Sequence, residues 1–195
     1  MQIIKFSAIL FCLMLCTSTI QAQRFNASIL AGFNLSQIDG DDLIGYNRLG
    51  LNLGGKVAAV LTERLELNFE LLYSQKGSNR NRTDSFRSTF DDIRLNFVEV
   101  PVYISFSDWK FKINAGMSYG RLIDYSVNDF VEGDVTESFD FNSDIFSFIV
   151  GATYYFREDL GLNIRWSNTL SNIQADPDAT RLIDRTIGIR FLYQI

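Results

Sequence analysis

Apolar and polar residues alternate with a period of two through most of this chain, and almost nothing repeats at helical spacing. Phe25, Ala27, Ile29, Ala31, Phe33 and Leu35 oppose Asn26, Ser28, Leu30, Gly32, Asn34 and Ser36. The second run sets Leu49, Leu51, Leu53, Val57, Ala59 and Leu61 against Gly50, Asn52, Gly54, Lys56 and Ala58. The third sets Leu65, Leu67, Phe69, Leu71 and Tyr73 against Glu66, Asn68, Glu70, Ser74 and Lys76. The fourth begins with Ile93, Leu95 and Phe97 and then changes parity to Val98, Val100, Val102, Ile104 and Phe106. Such a slip predicts a β-bulge, and Pro101, which has no N–H, suits an irregular ladder there. Four further runs start at Phe111, Phe146, Leu160 and Ile187. The pattern predicts eight strands, each near the roughly 9–11 residues that cross a bilayer as a tilted strand.

The predicted connections alternate in length. "TER", "SDWK" and "RED" are short, whereas residues 37–48, 77–92, 121–144 and 170–182 read as long polar loops. Short turns at one end and long loops at the other are the plan of an eight-stranded antiparallel up-and-down transmembrane β-barrel, with periplasmic turns and extracellular loops. A ligand-carrying barrel in water would turn its apolar face inward. Eight strands enclose too little room for Phe25, Phe33, Phe69, Phe146, Phe148, Trp166 and Phe191 together with their aliphatic neighbours. The small and polar set fits inside, so the apolar face meets lipid. Two aromatic belts agree with this reading: Phe25, Phe106, Phe111, Tyr154, Phe156 and Tyr193 below, and Phe33, Tyr73, Phe97, Tyr119, Phe146 and Trp166 above. The lumen then receives a network of charges: Lys56, Glu66, Glu70, Glu99, Arg165 and Arg190. With "TER" as the turn, Leu61 pairs with Leu65, which sets Lys56 opposite Glu70 within reach of an ion pair.

The ends place the barrel in a compartment. Lys5 followed by the uncharged run "FSAILFCLMLCTSTI" and then Ala22 reads as a secretory signal over residues 1–22, leaving residues 23–195 as one barrel domain. Bulky Leu15 disfavours a lipid anchor on Cys16. Both cysteines lie within the leader, so the mature chain uses neither disulfides nor thiol chemistry. The formal net charge is −5 and becomes more negative when Lys5 leaves with the leader, which argues against a nucleic-acid partner.

Candidate chemistry changes this picture little. Gly50, Gly55 and Lys56 reproduce most of a phosphate-binding loop, but Val57 stands where a hydroxyl is required and the segment has strand periodicity. The chain has no histidine, so the templates that pair a nucleophile with a base lack their usual base, and no enzyme activity is expected. The third loop carries Asp124, Asp129, Glu132, Asp134, Glu137, Asp140 and Asp144; its spacing matches no calcium loop, and it reads as a solvated loop. Arg80, Arg82 and Arg87 in the second loop read the same way. No cofactor and no metal are expected.

"GFNLS", "ELLYSQKG" and "VEVPVY" resemble the PorT-like family of outer-membrane β-barrels of Gram-negative bacteria. The resemblance covers essentially the whole mature chain. It implies an integral barrel of the cell outer membrane, surrounded by lipid and lipopolysaccharide and inserted by the barrel assembly machinery. A small structural or interaction barrel with a side-chain-filled lumen is the function expected. The alternatives are a narrow transport or ligand-binding barrel, or an accessory of a protein secretion system with a protein partner. Ile195 departs from the aromatic C-terminus usual in such barrels, a place that Phe191 and Tyr193 are expected to fill.

Overall fold

The computed structural model describes residues 25–81, 88–176 and 180–195; the leader, Arg82 and Arg87 lie outside these. The strands are β1 (Phe25–Asp39), β2 (Arg48–Val60), β3 (Leu65–Asn79), β4 (Phe90–Asp108), β5 (Phe111–Asp129), β7 (Asp144–Tyr155), β8 (Leu160–Thr169) and β9 (Ile183–Gln194). The two-residue β6 (Gly133–Asp134) pairs only with the end of β5. Each long strand pairs antiparallel with its chain neighbours, β9 returns to β1, and a β4–β5 ladder completes the ring. The result is a closed eight-stranded barrel with no free edge, the form a sheet must take to satisfy its backbone within lipid. Residues 61–64, 109–110 and 156–159 make the tight turns, and the other connections lie at the opposite end. No helix among the described residues is long and apolar enough to cross a membrane; strands make the crossing.

The outward apolar residues stay exposed, including Ile29, Leu53, Phe69, Ile104, Ile113, Phe148, Ile164 and Phe191. Most of their inward neighbours are small or polar; Leu30, Leu72 and Leu192 instead form a small buried apolar cluster with Tyr155 packed against it. Gly32 shows how tightly the wall is coiled. A methyl group there would lie 2.1 Å from the Ile189 carbonyl oxygen, so the β1–β9 contact beside Arg190 accepts only glycine.

The strands are longer than expected, reaching 19 residues in β4 and β5. Much of the sequence read as loop at 37–39, 77–79, 90–92 and 121–129 is strand, and it carries the barrel wall past the lipid band. The parity slip in the fourth run is also corrected. Ile93, Leu95, Phe97, Glu99, Pro101, Tyr103 and Ser105 all face inward, without interruption. What changes at Phe97 is the polarity of the interior, not the parity of the strand. The bulge falls on the partner instead: pairing steps from Phe97–Leu122 to Asn96–Asp124 and leaves Ile123 unpaired. Pro101 leaves a gap in the β3–β4 ladder between Phe69–Val102 and Leu72–Glu99, but the register is the same on both sides. Phe97 is therefore no belt residue; it is only 1% exposed, within the interior.

That interior core contains Ile38, Ile93, Leu95, Phe97, Val127 and Ile145, closed from above by Phe141, Ile173 and Leu182 from the connections. Above the lipid band the barrel is thus an ordinary water-facing β-structure, apolar inside and polar outside.

Candidate functional site

The alternation that turns apolar residues toward lipid turns the remaining side chains into the lumen, where they form stacked layers. Nearest the periplasm, the Lys112 ammonium donates to Glu66 at 2.7 Å, and Asn68 donates to the Ser105 hydroxyl at 2.9 Å. Above them, Glu70 accepts from Arg165 through both carboxylate oxygens at 2.7 and 2.9 Å. It also accepts from Arg190 at 3.1 Å and from the Tyr103 hydroxyl in a short hydrogen bond. The Arg165 guanidinium lies 4.6 Å above the Tyr103 ring, and Arg190 Nε donates to Asn163 Oδ1 at 3.1 Å.

The next layer reverses the charge balance. Lys76 lies between Glu99 at 2.7 Å and Asp184 at 3.2 Å, and Thr186 donates to Asp184 at 3.1 Å. One layer holds two cations about one anion, and its neighbour holds two anions about one cation. Together they are neutral, which limits the cost of keeping charge in a narrow, poorly hydrated space. The cavity left beside them has a volume of about 20 Å³, room for roughly one water. The apolar core closes the lumen above.

The six charges expected in the lumen are all buried there, but they do not form one network. Glu70, Arg165 and Arg190 come together; Glu99 belongs to the Lys76 layer, and Glu66 to Lys112. Lys56 is opposite Glu70 in the β2–β3 register, as the turn length required. The expected ion pair between them does not form, because arginines of β8 and β9 reach across the narrow lumen and occupy both oxygens of Glu70. Lys56 makes no ion pair within 4 Å among the described residues. Lys112, Asp184 and Tyr103 were missed. Each shares the inward parity of a neighbour already assigned there, so parity alone was the available signal.

The seven acidic residues of the third connection do not gather. Asp129 accepts from the Val131 and Glu132 backbone N–H groups at 2.7 and 3.0 Å, which holds its carboxyl below the ordinary value. Asp134 binds Thr136, Asp124 accepts from Asn96 and Asp144 pairs with Arg121. No group of three potential metal-binding side chains occurs among the described residues. Arg80 is held in the wall above the lipid band by the Ser88 and Phe90 carbonyls, with the Phe130 ring 5.0 Å away. In the first connection Asp41 accepts from the Leu43 N–H at 2.9 Å, while burial pushes its carboxyl up to about 6.

Comparison with known proteins agrees with the architecture. The outer membrane protein β-barrel domain family matches residues 8–194, and the chain belongs to that family: it is an integral barrel of the outer membrane. No curated protein matches it. Among solved structures it is similar to Ail, the attachment invasion locus protein of Yersinia pestis, at 13% identity and a TM-score of 0.52, over 87% of this chain and 98% of that one. Neisserial surface protein A is similar at 11% identity and a TM-score of 0.53, over 88% and 97% of the two chains. At these identities the likeness is one of fold.

Proposed function

We propose that the protein is a non-conducting outer-membrane barrel of interaction type, which anchors and displays its extracellular lobe. The observation that carries this reading is the double closure of the lumen. Two interlocked charge layers leave room for roughly one water, and an apolar core sealed by the connections lies above them. A transport path would require both closures to open. The lobe, by contrast, is a folded surface whose tips expose Ile44, Phe130 and Val131 at 75%, 61% and 83%, apolar side chains open to a partner. The partners in this reading are lipid and lipopolysaccharide around the belt, the barrel assembly machinery during insertion, and a protein bound at the lobe. No catalysis enters it, since Glu66, Glu70, Glu99 and Asp184 each rest on a lysine or arginine.

Within the family, we place the chain in the PorT-like branch on "GFNLS", "ELLYSQKG" and "VEVPVY". These three segments meet in the lumen: Asn34 donates to Ser74, Tyr103 donates to Glu70 and Lys76 pairs with Glu99. The residues that carry the resemblance are thus largely those that close the barrel.

Planar-bilayer recording tests the functional reading. The wild-type protein is expected to give no steady openings, whereas a variant with Glu70→Ala, Arg165→Ala and Phe97→Ala combined is expected to give small ones. Steady openings of the wild type would overturn the reading in favour of a narrow channel.

A further inference from the structure

At the outer end of the lobe, β5 turns into β6 through Phe130, Val131 and Glu132. Exposed turns usually take Gly, Asn, Asp or Ser, which suit a tight backbone in water. Here a phenyl ring and a β-branched side chain occupy the tip, and both are exposed. Neither belongs to the apolar core of the lobe, so the packing of that core does not require them.

The tip is also held in one arrangement. The Asp129 carboxylate accepts from the Val131 and Glu132 N–H groups at 2.7 and 3.0 Å, and the Phe130 N–H donates to the Thr89 carbonyl at 2.8 Å. The Arg80 guanidinium lies 5.0 Å from the Phe130 ring centroid, fixed there by the Ser88 and Phe90 carbonyls. A partner that meets these two side chains has little loop entropy to remove.

The charge beside the tip selects the partner. Behind it the chain returns along β5, where the Val135 N–H donates to the Val127 carbonyl at 3.0 Å. This leaves an open cavity of about 760 Å³, lined by Tyr125, Val135 and Thr136 and by the acidic Glu132, Asp134 and Glu137. No lysine or arginine lines it, and Glu132 and Glu137 make no ion pair within 4 Å among the described residues. The imbalance extends over the lobe. Residues 37–48, 77–92, 121–144 and 170–182 carry fifteen acidic residues against six basic ones. A second copy of this chain would bring the same negative lobe, and an anionic membrane surface would be repelled likewise. A basic protein surface is drawn in and oriented.

Building on the interaction reading of the lobe, we propose that this hairpin tip and the acidic cavity behind it form a docking surface for a basic protein segment. The segment seats an apolar side chain on Phe130 and Val131 and places lysine or arginine beside Glu132 and Glu137.

The mature protein in phosphatidylcholine nanodiscs, whose lipid has no net charge, is the bait for a phage library of random twelve-residue peptides. Empty nanodiscs remove lipid binders. Selected peptides are expected to combine lysine or arginine with a large apolar residue, and synthetic copies of them are the probes for affinity. Val131→Asn should weaken their binding about tenfold, as for loss of an apolar anchor. Glu132→Gln combined with Glu137→Gln should weaken it about fivefold, mostly through the association rate. Glu158→Gln, at the periplasmic end, should bind as the wild type does. All four positions are exposed or partly exposed, and heat-modifiable gel migration checks that each variant is folded. Peptides that lack basic residues, or that bind the hairpin variants unchanged, would overturn this docking surface. So would an equal loss in Glu158→Gln, since net charge alone would then explain the attraction, and so would a library that yields no peptide. The interaction reading itself falls separately, to steady wild-type openings in planar bilayers.

Discussion

The lower and upper parts of this barrel are one continuous wall with opposite polarity. β4 carries both. Below, Glu99, Pro101, Tyr103 and Ser105 face inward while Val98, Val100, Val102, Ile104 and Phe106 face lipid; above, Ile93, Leu95 and Phe97 face inward while Arg94 faces out. Strand geometry is the same in both parts, because alternation fixes only which residues share a face. The medium outside decides which face is apolar. Lipid solvates hydrocarbon, so the lower interior holds together through charge and hydrogen bonds. Water does not, so the upper interior holds together through apolar burial.

Substitutions that separate these two kinds of interior should differ in kind as well as size. The largest effect is expected at Glu70. Glu70→Gln leaves Arg165 and Arg190 buried without their anion, at a cost of about 3–5 kcal/mol, read as urea unfolding in lipid vesicles. Arg121→Gln, which breaks the exposed pair with Asp144 on the outer surface, should cost far less, because solvent screens that pair. If the two costs were equal, the lower interior would not depend on its charge layers.

In the upper part Leu95→Ala opens a cavity in the apolar core and should cost about 2–5 kcal/mol. Hydrogen exchange is expected to speed up in the lobe before it does in the lower strands; uniform loss of protection would show that the two parts unfold as one. The outer surface offers the reciprocal comparison. Phe148→Arg places a charge against lipid, at about 2–4 kcal/mol, whereas Asn128→Arg above the lipid band should stay within about 0.5 kcal/mol. Equal sensitivity of refolding at both sites would refute the boundary between the two parts.

Acid affects the upper part through Asp41. Its carboxyl, normally near 3.8, is pushed up to about 6 by burial, so the folded lobe takes up a proton more readily than the unfolded chain. Its contribution is most favourable below pH 4 and declines as the pH rises toward 6, beyond which it is constant. Asp41→Asn keeps an acceptor for Leu43 and removes the charge. It should stabilise the lobe at neutral pH by about 1–2 kcal/mol, allowing for screening near the lobe surface, and flatten this decline. Proteolysis of the lobe at pH 4.5 and 7.5 measures both. A small effect is expected at Lys56, where Lys56→Met should change stability by less than about 1 kcal/mol and add to Glu70→Gln without coupling. A coupling above about 1 kcal/mol would show that Lys56 shares the carboxylate after all.

The period-two pattern and the alternating connection lengths were enough to predict eight strands, the closed barrel and the lipid-facing set. Each depends on local alternation and on turn length, which neighbouring residues specify. The same arithmetic paired Lys56 with Glu70, since a short turn fixes register. It did not determine which charges touch. Arg165 and Arg190 lie far from Glu70 along the chain, and they reach it only because eight strands close around a lumen one side chain wide. Nor did the pattern reveal where lipid gives way to water. Ile93, Leu95 and Phe97 are as apolar as the residues that face the membrane, and alternation reads the same whichever side is wet. Only the closed tertiary structure, which carries the strands above the lipid band and seals them with Phe141, Ile173 and Leu182, turned those residues inward into a core.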